Sequence, residues 1–236
     1  MNKDHFSSHM SVCRLNIAGS SGRLGSSIQN LAASDPEFEV VGCASRDALN
    51  ELPMADVMID VSHHELTPKV IQYCQHQKLP LLIGTTALSE ATIDLIQQAA
   101  SSIAICQASN FSVGAMLLDQ LARVAGEWFP SEQITIKDRH HIDKKDAPSG
   151  TALMLKGSIE STGALVDSIE SVREGQVIGE HCVTFDGQHE RLILCHEVTD
   201  RDVFARGALL AARALAVKPP GHYQLSGLIG SKEDLS

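Results

Sequence analysis

The stretch VCRLNIAGSSGRLG, residues 12–25, runs an apolar segment straight into glycines at positions 19, 22 and 25. Val12 to Ile17 reads as a short strand, and helical spacing follows the last glycine and ends near Ala33. Glycines so placed let the chain turn tightly, let a phosphate approach the backbone, and let helix and strand pack closely. The helix start then offers free N–H groups and the positive end of its dipole to a diphosphate. The spacing is G-x-x-G-x-x-G rather than the commoner G-x-G-x-x-G, so the weight falls on its position after a first strand; the plainer alternative is a strand–helix turn with structural glycines.

Outward from this turn, apolar runs alternate with helical patterns. Val12 to Ile17, Phe38 to Ala44, Val57 to Val61, Leu79 to Ile83 and Ile103 to Cys106 have the character of strands buried on both faces of a parallel sheet. Thr67-Pro68 reads as an N-cap followed by proline at the first helical position, with Val70, Ile71 and Cys74 on one face. Ser89 opens another helix, in which Ile93, Ile96 and Ala100 form the repeating face. After Phe111 the pattern changes. Val113, Leu117, Leu121 and Val124 mark a long helix ending near Gly126 and Pro130. Ile134 to Lys137, Gly179 to Phe185 and Arg191 to Val198 are part-polar strand candidates, the last two joined through Asp186-Gly187, as an antiparallel or mixed sheet requires. Phe204 to Val217 is an Ala/Leu-rich helix placed to return to the first domain.

The predicted fold is therefore α/β: a Rossmann-like doubly wound parallel sheet plus a smaller α+β mixed-sheet domain. The expected division is 1–111 for a dinucleotide-binding domain, rejoined by 201–236, and 112–200 for a substrate-binding and oligomerisation domain. A chain of 236 residues can bury the cores this needs. Its formal charge of −10 argues against a nucleic-acid partner, because phosphate backbones repel such a surface. No apolar run approaches the roughly 18 residues of a membrane span. The first ten residues, MNKDHFSSHM, are polar and lack a signal-peptide core, which predicts a cytoplasmic protein with a short extension. Cys13, Cys43, Cys74, Cys106, Cys182 and Cys195 contain no Cys-x-x-Cys and read as small hydrophobes in a reducing compartment.

The residues after the second strand bear on which dinucleotide is bound. Cys43-Ala44-Ser45-Arg46 lacks the acid that usually takes a ribose 2′-hydroxyl, and offers a hydroxyl and a guanidinium instead. This leans toward NADPH over NADH, with Arg23 as a second cation; a solvated loop arginine is the alternative. Two further polar loops follow sheet strands. Gly84-Thr85-Thr86 offers room and hydrogen bonds. Ser109-Asn110-Phe111 adds an amide and a ring that could wall one side of a nicotinamide. Each loop alone also reads as a capping turn.

In RHHIDKKDAPSGTA, residues 139–152, an acidic chain concentrates cations: Lys137, Arg139, Lys144 and Lys145 lie within nine residues together with His140 and His141. The histidines can exchange protons near neutral pH. Ser149-Gly150-Thr151 then opens a helix, with Ala152, Leu155 and Ile159 as its inner face, so free N–H groups form a second anion site. Cations beside a helix start suit a small dicarboxylate. A metal site built on Asp138, His140, His141 and Asp143 is the rival chemistry; the two lysines would repel a dication, and no metal is expected.

Taken together, AGSSGRLG, VMIDVSH (57–63), IGTTA (83–87), ASNFSVG (108–114), the His-His to DAPSGTA segment, GEHCVTF (179–185) and RDVFARGA (201–208) resemble the 4-hydroxy-tetrahydrodipicolinate reductase (dihydrodipicolinate reductase) family of lysine and diaminopimelate biosynthesis, in the family's order. The resemblance implies a homotetramer that reduces a cyclic imine dicarboxylate with NADH or NADPH. It implies His140 and Lys144 as the proton-donating pair, and His141, Lys144, Ser149, Gly150 and Thr151 as substrate contacts. The implied cofactor contacts are Gly19 to Leu24, Ser45, Arg46, Gly84, Thr85, Thr86, Ala108, Ser109, Asn110 and Phe111. Ser45 replaces an acid common in the family, Ala87 stands where GTTG is common, and Asp143 occupies an often basic position. Two other readings remain: a dinucleotide-binding redox sensor without chemistry, and another two-domain reductase related to aspartate or homoserine dehydrogenase.

Overall fold

The structure, a computed structural model, describes residues 12–44 and 49–229. The N-terminal ten residues and the Ser45-Arg46 pair lie outside the described residues. The chain divides into two compact units, one built from residues up to Gln107 together with Ala208 onward, the other from Ala108–Gly207. Among the described residues no helix is long and apolar enough to cross a membrane.

The first unit holds strands β1 (Cys13–Ala18), β2 (Phe38–Ala44), β3 (Val57–Asp60), β4 (Leu81–Ile83), β5 (Ala104–Gln107) and β10 (Gly221–Tyr223), in the order β10-β5-β4-β3-β1-β2. Every pairing is parallel. Strands β3 and β4 are buried at every residue, which is why the sequence shows continuous apolar runs rather than alternation. Met58, Leu81, Ile83 and Ile105 pack with Val70, Ile71 and Cys74 of α2 (Thr67–Gln77) and with Ile96 and Ala99 of α3 (Glu90–Ala99). Leu15, Ile17, Ile59 and Leu82, which alternate with these, are also buried. Helix α1 (Arg23–Ser34) carries the chain from β1 to β2 on one side of β1, while β3 pairs with its other side. The glycine turn at the carboxyl end of β1 thus sits where the strand order reverses, the ligand-binding position of a doubly wound sheet.

Several local readings need correction. Leu66, not Thr67, is the N-cap of α2; Thr67 is the first helical residue, and its hydroxyl donates to Asp60 Oδ2 at 2.7 Å instead. The fourth strand starts at Leu81, after Pro80, which has no N–H to pair. Ser89 does cap α3, accepting from the Thr92 N–H at 3.2 Å, but the buried face is Thr92, Ile96 and Ala99, and Ile93 is exposed.

The second unit contains α4 (Val113–Trp128), β6 (Gln133–His140), α5 (Gly150–Glu160), β7 (Val166–Arg173), β8 (Gly179–Asp186) and β9 (Arg191–Val198). Its mixed sheet has the order β7-β6-β8-β9, with β7 parallel to β6 and the other pairs antiparallel. Ile134, Ile136, Val183 and Phe185 on one face pack with Leu118, Ala122 and Ala125 of α4 and with Ala152, Leu155 and Ile159 of α5. The other face carries Lys137, Cys182 and Cys195 in one row across the strands. The apolar stripe read from α4 is not its core face: Leu117, Leu121 and Val124 are 45–49% exposed and Trp128 is 79% exposed. Helix α6 (Asp202–Ala216) follows β9, and α7 (Leu225–Leu228) comes after β10.

The cysteine reading is corrected at two positions. Cys182 and Cys195, cross-strand partners on β8 and β9, form a disulfide, while Cys13, Cys74 and Cys106 are buried free thiols and Cys43 is exposed. Closing a loop of this length contributes about 2–4 kcal/mol by limiting the unfolded chain. Cys195→Ser is expected to lower unfolding stability by that order against the oxidised protein and to match the wild type in reductant, as read by denaturant unfolding with and without a thiol. Equal stability under both conditions would count against the cross-link.

Candidate active site

In the first unit the glycine turn is built on close backbone approach. Gly19 adopts φ +84°, in the region that favours glycine, and a Cβ at Gly25 would collide with the Gly19 carbonyl oxygen. The Gly22 N–H donates to Gly19 O at 3.0 Å, and Ser20 O accepts from Ser26 Oγ and Gln29 Nε2 at 3.2 and 2.8 Å. Gly22 is the N-cap of α1, without a side-chain cap, and the first turn holds no acid. Ser21, Gly22 and Arg23 are exposed and Leu24 is half-buried. An uncapped helix start with a cation on its first residue and no carboxylate nearby in sequence fits a diphosphate.

Asp60, fully buried at the end of β3, holds the neighbouring loops. Its side chain accepts from the Ser62 N–H and hydroxyl, from Thr67 Oγ1, and from Thr85 Oγ1 at 3.1 Å. Its carbonyl accepts from the N–H groups of Gly84 and Thr85 at 2.8 and 3.2 Å. Thr85, read as a cofactor contact, is therefore buried against Asp60, while Thr86 is exposed. Ala108, Ser109, Asn110 and Phe111 belong to the second unit. Asn110 Nδ2 donates to Thr151 Oγ1 at 3.1 Å, Asn110 Oδ1 accepts from the Ser112 N–H at 2.8 Å, and Phe111 is buried.

Strand β6 runs three residues further than its apolar pattern and so delivers Asp138 and His140 to the buried face. Asp138 has no exposed surface. Its Oδ1 lies 2.9 Å from His140 Nδ1, a close approach off the ideal hydrogen-bond line, and 3.4 Å from His181 Nε2. Its Oδ2 accepts from the Ser149 N–H at 2.8 Å, Ser171 Oγ at 3.2 Å and Arg173 Nη2 at 3.0 Å. Burial works against the charged form of Asp138, but His140, His181, the Ser149 N–H and Arg173 together outweigh it and hold its pKa far below the usual carboxylate range. Asp138, His140 and His181 present their ligand atoms within 4.8 Å of one another. The Arg173 guanidinium on the second oxygen disfavours a dication there.

Helix α5 starts from the same cluster. Ser149 is its buried N-cap, accepting from the Ala152 N–H at 3.2 Å, and its hydroxyl lies 3.0 Å from His181 Nε2. Gly150 is exposed, with nothing within 4 Å of where a Cβ would stand. Its N–H and that of Thr151 open toward an anion in the manner of any helix start. Lys144 Nζ contacts both oxygens of Asp146 at 2.7 Å, and this ammonium lowers the Asp146 pKa. The Asp146 carbonyl accepts from Arg173 Nη2 at 2.6 Å, which links the Lys144 loop to Asp138. His141 is half-buried.

The structure thus brings His140 and Ser149 into one connected cluster, with Lys144 joined through Asp146 and Arg173, while the Thr151 hydroxyl pairs with Asn110. Sequence reasoning did not select Asp60, Ser171, Arg173 or His181, and weighed Asp138 only as a metal ligand. A lone acid closing the run V-M-I-D was a readable sign for Asp60. Arg173 lies on a strand the sequence did not announce.

The comparisons with known proteins agree along the chain. The family model described as "Dihydrodipicolinate reductase, N-terminus" matches residues 13–111, and that described as "Dihydrodipicolinate reductase, C-terminus" matches residues 114–229. The 4-hydroxy-tetrahydrodipicolinate reductase of Xanthomonas euvesicatoria pv. vesicatoria (strain 85-10) is 38% identical over 235 residues, covering 93% of this chain and 98% of the relative. That of Xanthomonas campestris pv. campestris (strain B100) is 41% identical over 229 residues, covering 90% and 96%. Among solved structures, dipicolinate-bound dihydrodipicolinate reductase from Paenisporosarcina sp. TG-14 has a TM-score of 0.76 at 20% identity, covering 90% of this chain and 97% of that one, and bears on the fold. With both family models matched in order and relatives alike over nearly the full length, the chain belongs to the dihydrodipicolinate reductase family.

Proposed function

We propose that this protein reduces (2S,4S)-4-hydroxy-2,3,4,5-tetrahydrodipicolinate to tetrahydrodipicolinate and water with NAD(P)H, a step of lysine and diaminopimelate biosynthesis. The observation that carries this reading is a buried histidine and an open helix start held by one carboxylate: His140 and Ser149 both approach Asp138. A small dianion has a place to bind there, and a proton donor stands beside it.

The reduced nicotinamide, when bound, supplies a hydride to the conjugated imine, and its nucleotide has the uncapped start of α1 for its diphosphate. The chain's own residues do the rest. The N–H groups of Gly150 and Thr151 and the Thr151 hydroxyl bind one substrate carboxylate. Lys144 offers its ammonium to the substrate in competition with Asp146, and His141 adds a polar contact. His140 delivers the proton that quenches negative charge on the reduced ring, and the Lys144 cation stabilises that charge as it forms. The 4-hydroxyl and a neighbouring ring hydrogen leave together as water beforehand, which forms the conjugated imine; the hydride and the His140 proton then complete the reduction. The division into a nucleotide domain (1–111 with 201–236) and a substrate domain (112–200), and the contacts from Ser45, Arg46, Gly84 to Thr86 and Ala108 to Phe111, are part of this proposal. So are a cytoplasmic location and a homotetramer, the latter supported by the apolar stripe of Leu117, Leu121, Val124 and Trp128 left exposed on α4.

NADPH is the preferred cofactor in this reading, because Ser45 and Arg46, not an acid, directly follow β2 in the sequence and exposed Arg23 begins α1. A kcat/KM greater with NADPH than with NADH is the expected result; the reverse order would refute it. Following NADPH oxidation on the product of dihydrodipicolinate synthase tests the activity, and a redox sensor would consume none. The His140→Ala, Lys144→Ala double variant is expected to bind NADPH normally while kcat falls by roughly 10²–10⁴-fold; near-native kcat would overturn the two roles. Gly150→Ala separates binding from folding. The added methyl meets open space, so the melting temperature should hold or rise, while the affinity for pyridine-2,6-dicarboxylate drops. Unchanged affinity would move the carboxylate away from α5.

A further inference from the structure

Asp138 takes no part in the steps above, yet more of the second unit's polar contacts converge on it than on either proposed proton donor. A carboxylate with no exposed surface is costly unless every oxygen is engaged. Here the two oxygens divide their partners. Oδ1 faces the imidazoles of His140 and His181, and Oδ2 takes the Ser149 N–H, the Ser171 hydroxyl and the Arg173 guanidinium. Each partner belongs to a different part of the site. His140 ends β6, Ser149 caps α5, His181 sits on β8 and touches the Ser149 hydroxyl, and Arg173 ends β7 and grips the carbonyl of Asp146 in the Lys144 loop. Among the described residues His140 Nδ1 has no other partner than this carboxylate. A carboxylate at Nδ1 orients the ring and leaves Nε2 as the nitrogen that can give up and regain a proton. Gly179 clears the space beside Nε2: a Cβ there would stand 3.2 Å from it.

We infer that Asp138 is the positioning residue of the reaction, fixing the His140 imidazole with one oxygen and the amino end of α5 with the other, so that proton donor and carboxylate cradle are held in a single frame. The inference rests on the reading of His140 as proton donor. It assigns Nε2 as the working nitrogen, and it makes His181 and Arg173 the braces that keep the carboxylate in place.

The test is a double-mutant cycle in the full-length protein, measured as kcat, KM and NADPH affinity, with thermal unfolding of each variant. Asp138→Asn is expected to lower kcat by roughly 30-fold or more, within the range general acid catalysis supplies, and to raise KM only a few-fold, with NADPH affinity unchanged. In the His140→Ala background the same change should alter kcat by less than about 2-fold, because the group through which it acts is already gone. A merely structural role would lower kcat in both backgrounds alike. Near-native kcat in Asp138→Asn, or losses that multiply in the double variant, would overturn the inference while leaving His140 as donor. Near-native kcat in His140→Ala alone would instead overturn the donor assignment. Should the Asn variant fail to fold, Asp138→Glu, which keeps the charge but displaces it by one methylene, runs the same cycle with the same expected non-additivity.

Discussion

A carboxylate with none of its surface exposed occupies the third inward position of β6, after two isoleucines. Left alone it would shed its charge or break the strand, since water has been removed from both its oxygens. What keeps it charged is a convergence of donors from four elements, and those elements are therefore not free to choose their ends. Strand β7 must stop where Arg173 reaches Asp138, and α5 must start where the Ser149 N–H does. Removing one member of such a cluster typically costs on the order of 3–5 kcal/mol, because the charges left behind have no solvent to turn to. The site is consequently as much a condition of the fold as a product of it.

The two units differed in how openly the sequence declared them. In the first, β3 and β4 are buried at every residue, so uninterrupted apolar runs such as V-M-I-D and L-L-I reported them directly. The second unit has a sheet with one face on the core, and its polar face diluted the signal. Strand β7, V-D-S-I-E-S-V-R, presents only one fully buried residue and passed unnoticed. Helix α4 shows the opposite failure. Its large apolar residues Leu117, Leu121 and Val124 recur with helical spacing and point away from the core, while the small residues Ala115, Ala122 and Ala125 pack inward with Leu118. Periodicity weighted by side-chain size favours whichever face carries the larger groups. That face is not the inner one when the packing is close.

The proposed site residues were legible in proportion to how local they are. His140, Lys144, Ser149, Gly150 and Thr151 fall within twelve consecutive positions, and a strand end, a loop and a helix start follow in order. Composition and spacing alone were enough to propose an anion site there. Arg173 and His181 approach the same point from strands that join β6 only through pairing, at separations of 35 residues for Asp138 and Arg173 and 32 for Ser149 and His181. Nothing near either residue in the chain announces this. Asp138 itself was visible, but its partners were not, so beside the histidines it entered only as a ligand of the rival metal reading. With Arg173 in view the same residues read as a neutralised hydrogen-bonded cluster.

The cross-link between Cys182 and Cys195 lies one residue from two histidines that face the opposite way, His181 and His196, themselves partners across β8 and β9. Side chains along a strand alternate between faces, so sliding β9 by a single position would send one set outward and the other inward. A covalent bond between the outer residues forbids that slide. The inner histidines, of which His196 lies 3.3 Å from the Ser112 hydroxyl at the start of α4, are thereby indexed to one alignment by a bond they never touch.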